Sequence, residues 1–308
     1  MSGRYAPSPT GALHIGNLRT ALLAWLFART TDRRFLMRIE DLDDTADKRI
    51  GLGQLADLEA IGLDWDDPVL HQSDRVDRYR HHLTVLRDAG LTYPCWCSRR
   101  EVREAASAPH GDPMPDGAYP GTCRDLSPAE RGDRAAATEQ PPALRLRSQV
   151  ASIEFVDNLH GTVRAGVDDF VLQRRDGVPS YNLAVVVDDA ETGVDQVVRG
   201  DDLLLSTPRQ LHLADLLGLP RPTHAHVPLA VNAEGERLAK RDGAITLADL
   251  GRLGLAPAAV VALLARSLGL AGEREQPTAP DLIERFDAEG LPRTPWVFVG
   301  PDEIGSHP

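Results

Sequence analysis

The chain has 308 residues, 42% of them hydrophobic and 26% charged, with a formal net charge of −12. This composition is typical of a globular protein that folds into two or three compact units. The negative charge argues against indiscriminate nucleic-acid binding, although a local basic surface can still hold a defined RNA. No apolar run approaches the roughly 18 residues of a membrane span, and no signal-peptide pattern opens the chain, so we predict a cytoplasmic protein without membrane partners.

The first ninety or so residues alternate between strand and helix patterns. A short strand is predicted to end at Tyr5-Ala6, and apolar residues between Leu18 and Leu26 recur at helical spacing on one face. A second strand is predicted over 35–39, followed by helices over 48–61 and 73–89. This order predicts a parallel sheet with crossover helices.

From Cys95 onward the pattern changes. We predict a short helix at 98–106, a loop at 108–121 and an antiparallel insertion with strands at 144–147, 153–156 and 170–173. The α/β pattern resumes at 181–189 and 196–199, followed by a helix at about 203–217. Beyond Gly251 we expect two short helices, at about 256–268 and 281–286.

The stretch RYAPSPTGALHIGNLRTALLAWLF joins the first strand to the first helix. Pro7 and Pro9 stiffen the backbone, and Gly11 and Gly16 allow a close approach to the main chain. His14 precedes a helix N-terminus, where free N–H groups and the helix dipole favour anions. The turn therefore suits a triphosphate, although a capped loop with a surface histidine explains the His-Ile-Gly-Asn tetrapeptide alone equally well.

Cys95, Cys97 and Cys123 are an odd number of cysteines in a chain without an export signal, so we expect no disulfide framework. Structural zinc needs four tetrahedral ligands, and His110 is the generic choice for the fourth. Three inert thiols are the alternative to a metal site.

Two further patterns carry no predicted function. Gly51-x-Gly53-x-x-Ala56 mimics a dinucleotide fingerprint but lies inside a helical pattern with no strand before it. His224 and His226 have no carboxylate or third histidine near them in sequence with which to bind a metal.

The segment PSPTGALHIGNLRTAL resembles the first signature of class I aminoacyl-tRNA synthetases, and in particular their glutamyl branch. His14, Ile15, Gly16 and Asn17 stand where that family has its HIGH-type tetrapeptide, with Asn17 departing from it. The segment RIEDLD at 38–43 is similar to the RIEDTD segment of the same branch.

A basic loop far downstream, RLAKR at 237–241, resembles the second signature of the family. Arg237 and Ala239 replace the usual lysine and serine, so one hydroxyl contact is missing. Lys240, which in the family meets the phosphates, is retained.

The resemblance implies an α/β protein with a Rossmann-like parallel-sheet catalytic domain, a zinc-containing insertion and a short helical C-terminal segment. We expect the catalytic domain to occupy 1–94 and 178–250, the insertion 95–177 and the helical segment 251–308. The last segment is too short for an anticodon-binding domain, so we expect none.

Free glutamate carries two carboxylates and an ammonium. A pocket that binds it should therefore contain cationic groups, one anionic group and fixed hydrogen-bonding groups. The resemblance implies that Arg4 and Arg199 contact the carboxylates, Glu40 the ammonium, and that Tyr181 adds a hydroxyl and an apolar wall. It implies a floor formed by the main chain of Arg4, Tyr5, Ala6, Pro7 and Ser8. Taken singly, each of these residues also fits a surface salt bridge or a core tyrosine.

The same resemblance implies that His14, Gly16, Asn17 and Lys240 bind ATP with Mg²⁺, and that His14 and Lys240 are catalytic. It also implies a Cys-x-Cys…Tyr-x-x-x-Cys site in which Tyr119 joins the three cysteines around one structural zinc per chain. Four protein ligands leave no open position for chemistry.

Within the family, this short chain resembles the branch that activates L-glutamate with ATP without tRNA. That branch then attaches the glutamyl group to the queuosine base in the anticodon loop of tRNA(Asp). We expect a monomer. One alternative is a truncated synthetase that charges tRNA(Glu), and another is a catalytically silent RNA-binding module on the same fold.

Overall fold

The computed structural model describes residues 1–105, 112–236, 238 and 245–300. In this part of the chain the α-helices are α1 (Ile15–Arg29), α2 (Lys48–Ala60), α3 (Val76–Asp88), α4 (Arg99–Ala105), α5 (Pro128–Ala136), α6 (Tyr181–Glu191), α7 (Thr207–Leu217), α8 (Leu247–Arg252) and α9 (Pro257–Ser267). The strands are β1 (Ser2–Tyr5), β2 (Arg34–Ile39), β3 (Leu70–His71), β4 (Thr92–Cys95), β5 (Ala143–Leu146), β6 (Ser152–Asp157), β7 (Gly161–Gly166), β8 (Val171–Gln173), β9 (Val194–Gly200), β10 (Thr223–Val227), β11 (Ala230–Val231) and β12 (Trp296–Val297).

The chain forms two compact units. The first contains residues 1–71, 196–202 and the chain from Thr223 onward, and the second contains 72–195 and 203–222. The division into catalytic halves, insertion and C-terminal segment follows family boundaries, not contacts, and stays a prediction.

The first unit is built on a parallel sheet with the strand order β3-β2-β1-β9-β10. The pairs β1–β2, β2–β3 and β9–β10 are all parallel, which confirms the predicted strand–helix alternation. Because the carboxyl ends of parallel strands share one edge, the loops after β1, β2 and β9 open on the same side.

Helix α1 packs against β1, β2 and β11 in the first unit. All of the residues predicted to form its apolar face are buried, and burial extends beyond that face to almost the whole run from Leu18 to Ala28. A helix with neighbours on every side buries all of its faces. Arg19 lies in this run, and its guanidinium donates to the Pro228 carbonyl at 2.7 Å and to the Ser267 hydroxyl at 3.1 Å.

The second unit contains the predicted antiparallel strands. β4, β5 and β8 form one antiparallel sheet, and β6 and β7 form a hairpin. Helices α3, α6 and α7 pack together around Asp188, which is fully buried and accepts hydrogen bonds from Gln72, Arg75 and Tyr79. These three donors compensate the burial of its charge.

Several elements differ from the expectations. The helix expected at 281–286 is only a 3₁₀ turn at Pro280–Leu282, because so short an apolar pattern cannot sustain helix nucleation. Helix α5 was not expected, since it buries no residue and so lacks an apolar period. Strand β7 was also missed, since glycines bound it and most of its residues are polar or small. In the described helices, no segment has both the length and the apolar character needed to cross a membrane.

Candidate active site and metal centre

His14 is the N-cap of α1. Its Nδ1 accepts hydrogen bonds from the backbone N–H groups of Gly16 at 3.1 Å and Asn17 at 3.3 Å. The Oδ1 of Asn17 accepts in turn from the His14 N–H at 3.1 Å, which completes a capping box. When Nδ1 of a neutral imidazole accepts, the proton lies on Nε2. The turn thus offers an imidazole N–H donor at the positive end of a helix.

Gly16 and Asn17 both serve this arrangement. A Cβ atom at Gly16 would lie 3.0 Å from Cε1 of His14 and 3.1 Å from Cβ of Ala230, so a larger residue would require the ring to shift by a few tenths of an ångström. Asn17, the departure from the family tetrapeptide, supplies the carbonyl oxygen that closes the cap. Because Nδ1 of His14 accepts from both residues, their backbone N–H groups are engaged within the turn.

The predicted basic loop meets this turn through its flanks. The Ile15 N–H donates to the Ile245 carbonyl at 2.9 Å, and His14 forms an isolated β-bridge with Thr246. On the other side, the Leu238 N–H donates to the Ala230 carbonyl at 3.5 Å. The remaining loop residues lie outside the described part of the chain, so their contacts stay predictions: Arg237, Ala239, Lys240 and Arg241.

Arg4 and Arg199 lie on the neighbouring strands β1 and β9, and each is 5% exposed. Nη1 of Arg4 donates to the Val198 carbonyl at 3.3 Å. Nε of Arg199 donates to Nε2 of His226 at 3.1 Å, and the register of β9 and β10 places these two residues side by side. A buried guanidinium on each of two neighbouring strands is the kind of group that pairs with the carboxylates of a dicarboxylate.

Glu40 directly follows β2. Its N–H donates to the Pro7 carbonyl at 3.0 Å, which places it beside the loop that follows β1. Its Oε1 accepts from Nη2 of Arg38 at 3.2 Å. A carboxylate at this edge of the sheet suits a substrate ammonium.

Gln54 holds the loop after β1 and was not foreseen from the sequence. It is 2% exposed, and its Nε2 donates to the Ser8 carbonyl at 2.9 Å and to the Gly11 carbonyl at 2.7 Å. Tyr5 fixes the other side, since its hydroxyl donates to the Asn17 carbonyl at 3.2 Å, and burial raises its pKa. No local signal marks Gln54, because its partners lie 43 and 46 residues earlier in the chain.

Tyr181 is the first residue of α6 and belongs to the second unit. Its side chain is 40% exposed, and Ser180 caps the helix by accepting from the Leu183 N–H. Its contact with glutamate stays a prediction.

Cys95, Cys97 and Cys123 converge in the second unit, with their sulfur atoms within 4.8 Å of one another and no disulfide among them. The sulfurs of Cys97 and Cys123 are 3.6 Å apart, and the Tyr119 hydroxyl lies 3.4 Å from Cys95 and 3.5 Å from Cys97. A tetrahedral zinc with bonds of about 2.3 Å to sulfur and about 2.0 Å to oxygen has S···S edges of about 3.8 Å and S···O edges of about 3.5 Å. The observed separations fit such a site, whereas His110 lies outside the described residues.

Electrostatics at the cluster favour a thiolate. A hydrogen bond from Cys97, together with the Arg145 guanidinium and the Tyr119 hydroxyl, lowers the pKa of Cys95 to about 4. The same bond raises the pKa of Cys97. The guanidinium carbon of Arg145 lies 3.6 Å from the centroid of the Tyr119 ring, close enough for a cation–π interaction. This donor set is compatible with zinc, whose binding displaces thiol protons.

Two buried aspartates, also not foreseen, support the cluster. Asp168 accepts from the Tyr119 N–H at 2.7 Å and from Nε of Arg209 at 2.5 Å. Asp169 accepts from the Tyr93 hydroxyl at 2.6 Å and from Nη1 of Arg124 at 2.5 Å. They join the cluster to α7 and to the β4 strand.

A scan against protein-family models matches residues 1–302 to the family described as "tRNA synthetases class I (E and Q), catalytic domain". The chain belongs to this family of class I synthetases. It is 62% identical over 302 residues to the glutamyl-Q tRNA(Asp) synthetase of Nocardia farcinica, which covers 97% of this chain and 93% of the relative. It is 38% identical to the glutamate–tRNA ligase of Citrifermentans bemidjiense, covering 98% of this chain and 64% of the ligase.

The glutamate-tRNA synthetase from Elizabethkingia anophelis, a solved structure, superposes with a TM-score of 0.78 at 25% identity, covering 96% of this chain and 68% of that one. The class I synthetase fold and the resemblance to the glutamyl branch are therefore confirmed. Class I synthetases are ligases that use ATP with Mg²⁺, so the family places this chain among enzymes.

Proposed function

We propose that this protein activates L-glutamate with ATP in the absence of tRNA and then transfers the glutamyl group to queuosine in tRNA(Asp). The observation that carries the proposal is the 62% identity over nearly the full length to a relative named glutamyl-Q tRNA(Asp) synthetase. Identity falls to 38% against a relative named glutamate–tRNA ligase.

In the first step, the α-carboxylate of glutamate attacks the α-phosphorus of MgATP, and pyrophosphate leaves. No general base is needed, because the carboxylate is already ionised. Catalysis then depends on alignment and on neutralising charge that develops on the phosphates. The His14 Nε2–H at the positive end of α1 donates to the phosphates, and Lys240 supplies a further cation.

Glutamate is recognised by charge. Arg4 and Arg199 pair with its carboxylates, Glu40 receives its ammonium, and the Tyr181 hydroxyl completes the pocket. His226 supports this reading, because its acceptor Nε2 holds the Arg199 guanidinium by one edge at 3.1 Å. A planar guanidinium fixed in this way has a defined orientation toward a carboxylate.

In the second step, a hydroxyl of the RNA acceptor attacks the carbonyl of the mixed anhydride, loses its proton, and AMP leaves. Cys95, Cys97, Tyr119 and Cys123 would hold one zinc ion that supplies rigidity to the second unit. A closed set of four protein ligands has no place for a substrate.

The first test is glutamate-dependent exchange of pyrophosphate into ATP by the purified chain without RNA. We expect exchange with glutamate and none with glutamine or aspartate. Exchange that requires tRNA would contradict the first step, and no exchange under any condition would favour a catalytically silent module. Light scattering after size exclusion checks the expectation of a monomer.

A further inference from the structure

The second unit contains a cleft of about 1240 Å³ that lies beside the cysteine cluster, since Cys97 forms part of its wall. This volume exceeds the roughly 300–1,000 Å³ of pockets for small molecules. Six arginines line it, and we call it the arginine cleft: Arg99, Arg103, Arg145, Arg174, Arg175 and Arg209. Only two carboxylates are found among the described lining residues, Asp168 and Asp176.

Those two carboxylates neutralise only part of the charge. Asp168 pairs with Arg209 and Asp176 with Arg174, both at 2.5 Å. Arg175 is held by uncharged groups, donating to Oε1 of Gln140 at 2.8 Å and to the Trp96 carbonyl. These bonds orient the Arg175 guanidinium, and no carboxylate of the described residues pairs with it.

Arg99 and Arg103 form the exposed rim of the cleft. They stand four residues apart on α4, on the same face of the helix, and no carboxylate in the described ranges pairs with either. Helix α4 begins directly after Cys97, and Ser98 and Glu101 cap its start. The start of the helix that carries both arginines is therefore close in sequence to the cysteine cluster.

Tyr181 lines the same cleft and is 40% exposed. An exposed tyrosine ring offers a stacking surface to an unpaired base. The resemblance also places this tyrosine at glutamate, the substrate whose carboxyl group is transferred to the acceptor nucleoside.

We propose that the arginine cleft binds the phosphate backbone of the acceptor RNA loop, with Arg99, Arg103 and Arg175 contacting phosphates and Tyr181 facing the acceptor nucleoside. The inference rests on the proposed function and locates its RNA. RNA is favoured over an acidic peptide, because planar guanidiniums match phosphate oxygens and an aromatic ring stands beside them. The site gives an acidic chain a local basic surface.

The test compares the double variant Arg99→Ala/Arg103→Ala with Arg100→Ala. Arg100 lies on the same helix and is 79% exposed, but it is not among the lining residues and instead faces Glu104 at 4.0 Å. The probe is labelled tRNA(Asp) carrying queuosine, and its affinity is measured by fluorescence anisotropy at several potassium chloride concentrations. Pyrophosphate exchange with glutamate is measured in parallel.

We expect the double variant to bind the tRNA about tenfold or more weakly. The slope of log affinity against log salt should become shallower by about 1.4–1.8, at about 0.7–0.9 per lost phosphate contact. Arg100→Ala should stay within about twofold of the wild type, and both variants should keep wild-type exchange and melting temperature. Arg175→Ala, which removes a more enclosed charge, should also weaken RNA binding.

Wild-type affinity and slope in the double variant would overturn the proposal, as would an equal loss in Arg100→Ala. Displacement of the tRNA by polyglutamate at equal charge would overturn the choice of RNA. The experiment separates this proposal from the proposed function. If the wild type binds tRNA(Asp) through these arginines but glutamylates no tRNA, the RNA-binding role of the cleft is supported and the proposed function is wrong. If the double variant transfers glutamate efficiently with an unchanged KM for tRNA, the RNA-binding role of the cleft is wrong and the proposed function stands.

Discussion

Substitution of Gly16 by alanine tests the placement of the His14 imidazole. The new Cβ would stand 3.0 Å from Cε1 and 3.1 Å from Nδ1 of His14, and 3.1 Å from Cβ of Ala230. Contacts this short are tighter than most that real Cβ atoms make, so the ring must move by a few tenths of an ångström. Misplacement of a catalytic group by about 1 Å costs on the order of a hundredfold in rate.

We expect Gly16→Ala to lower kcat for glutamate-dependent pyrophosphate exchange by about 3- to 10-fold. The KM for glutamate should change little, because Arg4 and Arg199 are untouched. Two weakened cap bonds at about 0.5–1.5 kcal/mol each are offset by about 1 kcal/mol of helix propensity, so unfolding free energy should change by less than about 2 kcal/mol.

Gly53→Ala is the matched control. Gly53 is an exposed residue of α2, and nothing lies within 4 Å of the position that the new methyl group would take. The substitution should stabilise the protein by about 0.5–1 kcal/mol and leave exchange unchanged. Wild-type exchange in Gly16→Ala would refute the role given to the His14 ring.

Four further outcomes are expected. Lys240→Ala should lower the rate of adenylate formation at least about a hundredfold, since about 3 kcal/mol of transition-state stabilisation is lost. Glutamate affinity, measured by calorimetry, should stay nearly unchanged, and an equal loss of that affinity would contradict this role. Cys123→Ser should remove the one zinc per chain found by elemental analysis and lower the melting temperature more than the exchange rate; a zinc-free wild type would end the claim. Arg199→Ala should strongly weaken glutamate binding and reduce the roughly thousandfold preference for glutamate over glutamine in pyrophosphate exchange. Unchanged selectivity would mean that another residue binds the side-chain carboxylate. Burial lowers the pKa of His212, whose Nε2 accepts from the Gln149 N–H at 3.1 Å, so the unfolded chain binds a proton that the folded one does not. Urea unfolding should therefore show stability falling as pH drops below about 6.5, by up to about 1.4 kcal/mol per pH unit, and His212→Gln should flatten that slope.

Local signals predicted most of the first unit. Periodicity located α1 and α2, and the step from strand to capped helix placed His14 at the N-terminus of α1, where the structure has it. These features depend on residues within one or two turns of each other. The helix α5 also had such a signal, since Ser127 and Glu130 form a capping box around a proline at the first helical position. The capping signal therefore predicts α5 even though no apolar periodicity does.

Long-range contacts explain what the sequence did not predict. Gln54 and Arg19 are polar residues in helices, and their partners are backbone carbonyls far away in the chain. The pairing of Arg199 with His226 depends on the register of two parallel strands, which no local pattern specifies. Asp168 likewise acquires its role only when the fold brings Tyr119 and Arg209 to it.

Transfer of radiolabelled glutamate to purified tRNA(Asp) with and without queuosine, with tRNA(Glu) in a parallel reaction, identifies the RNA acceptor. We expect label on tRNA(Asp) that carries queuosine, and background on tRNA(Asp) that lacks it and on tRNA(Glu). Label on tRNA(Glu), or equal label on tRNA(Asp) whether or not queuosine is present, would contradict this expectation.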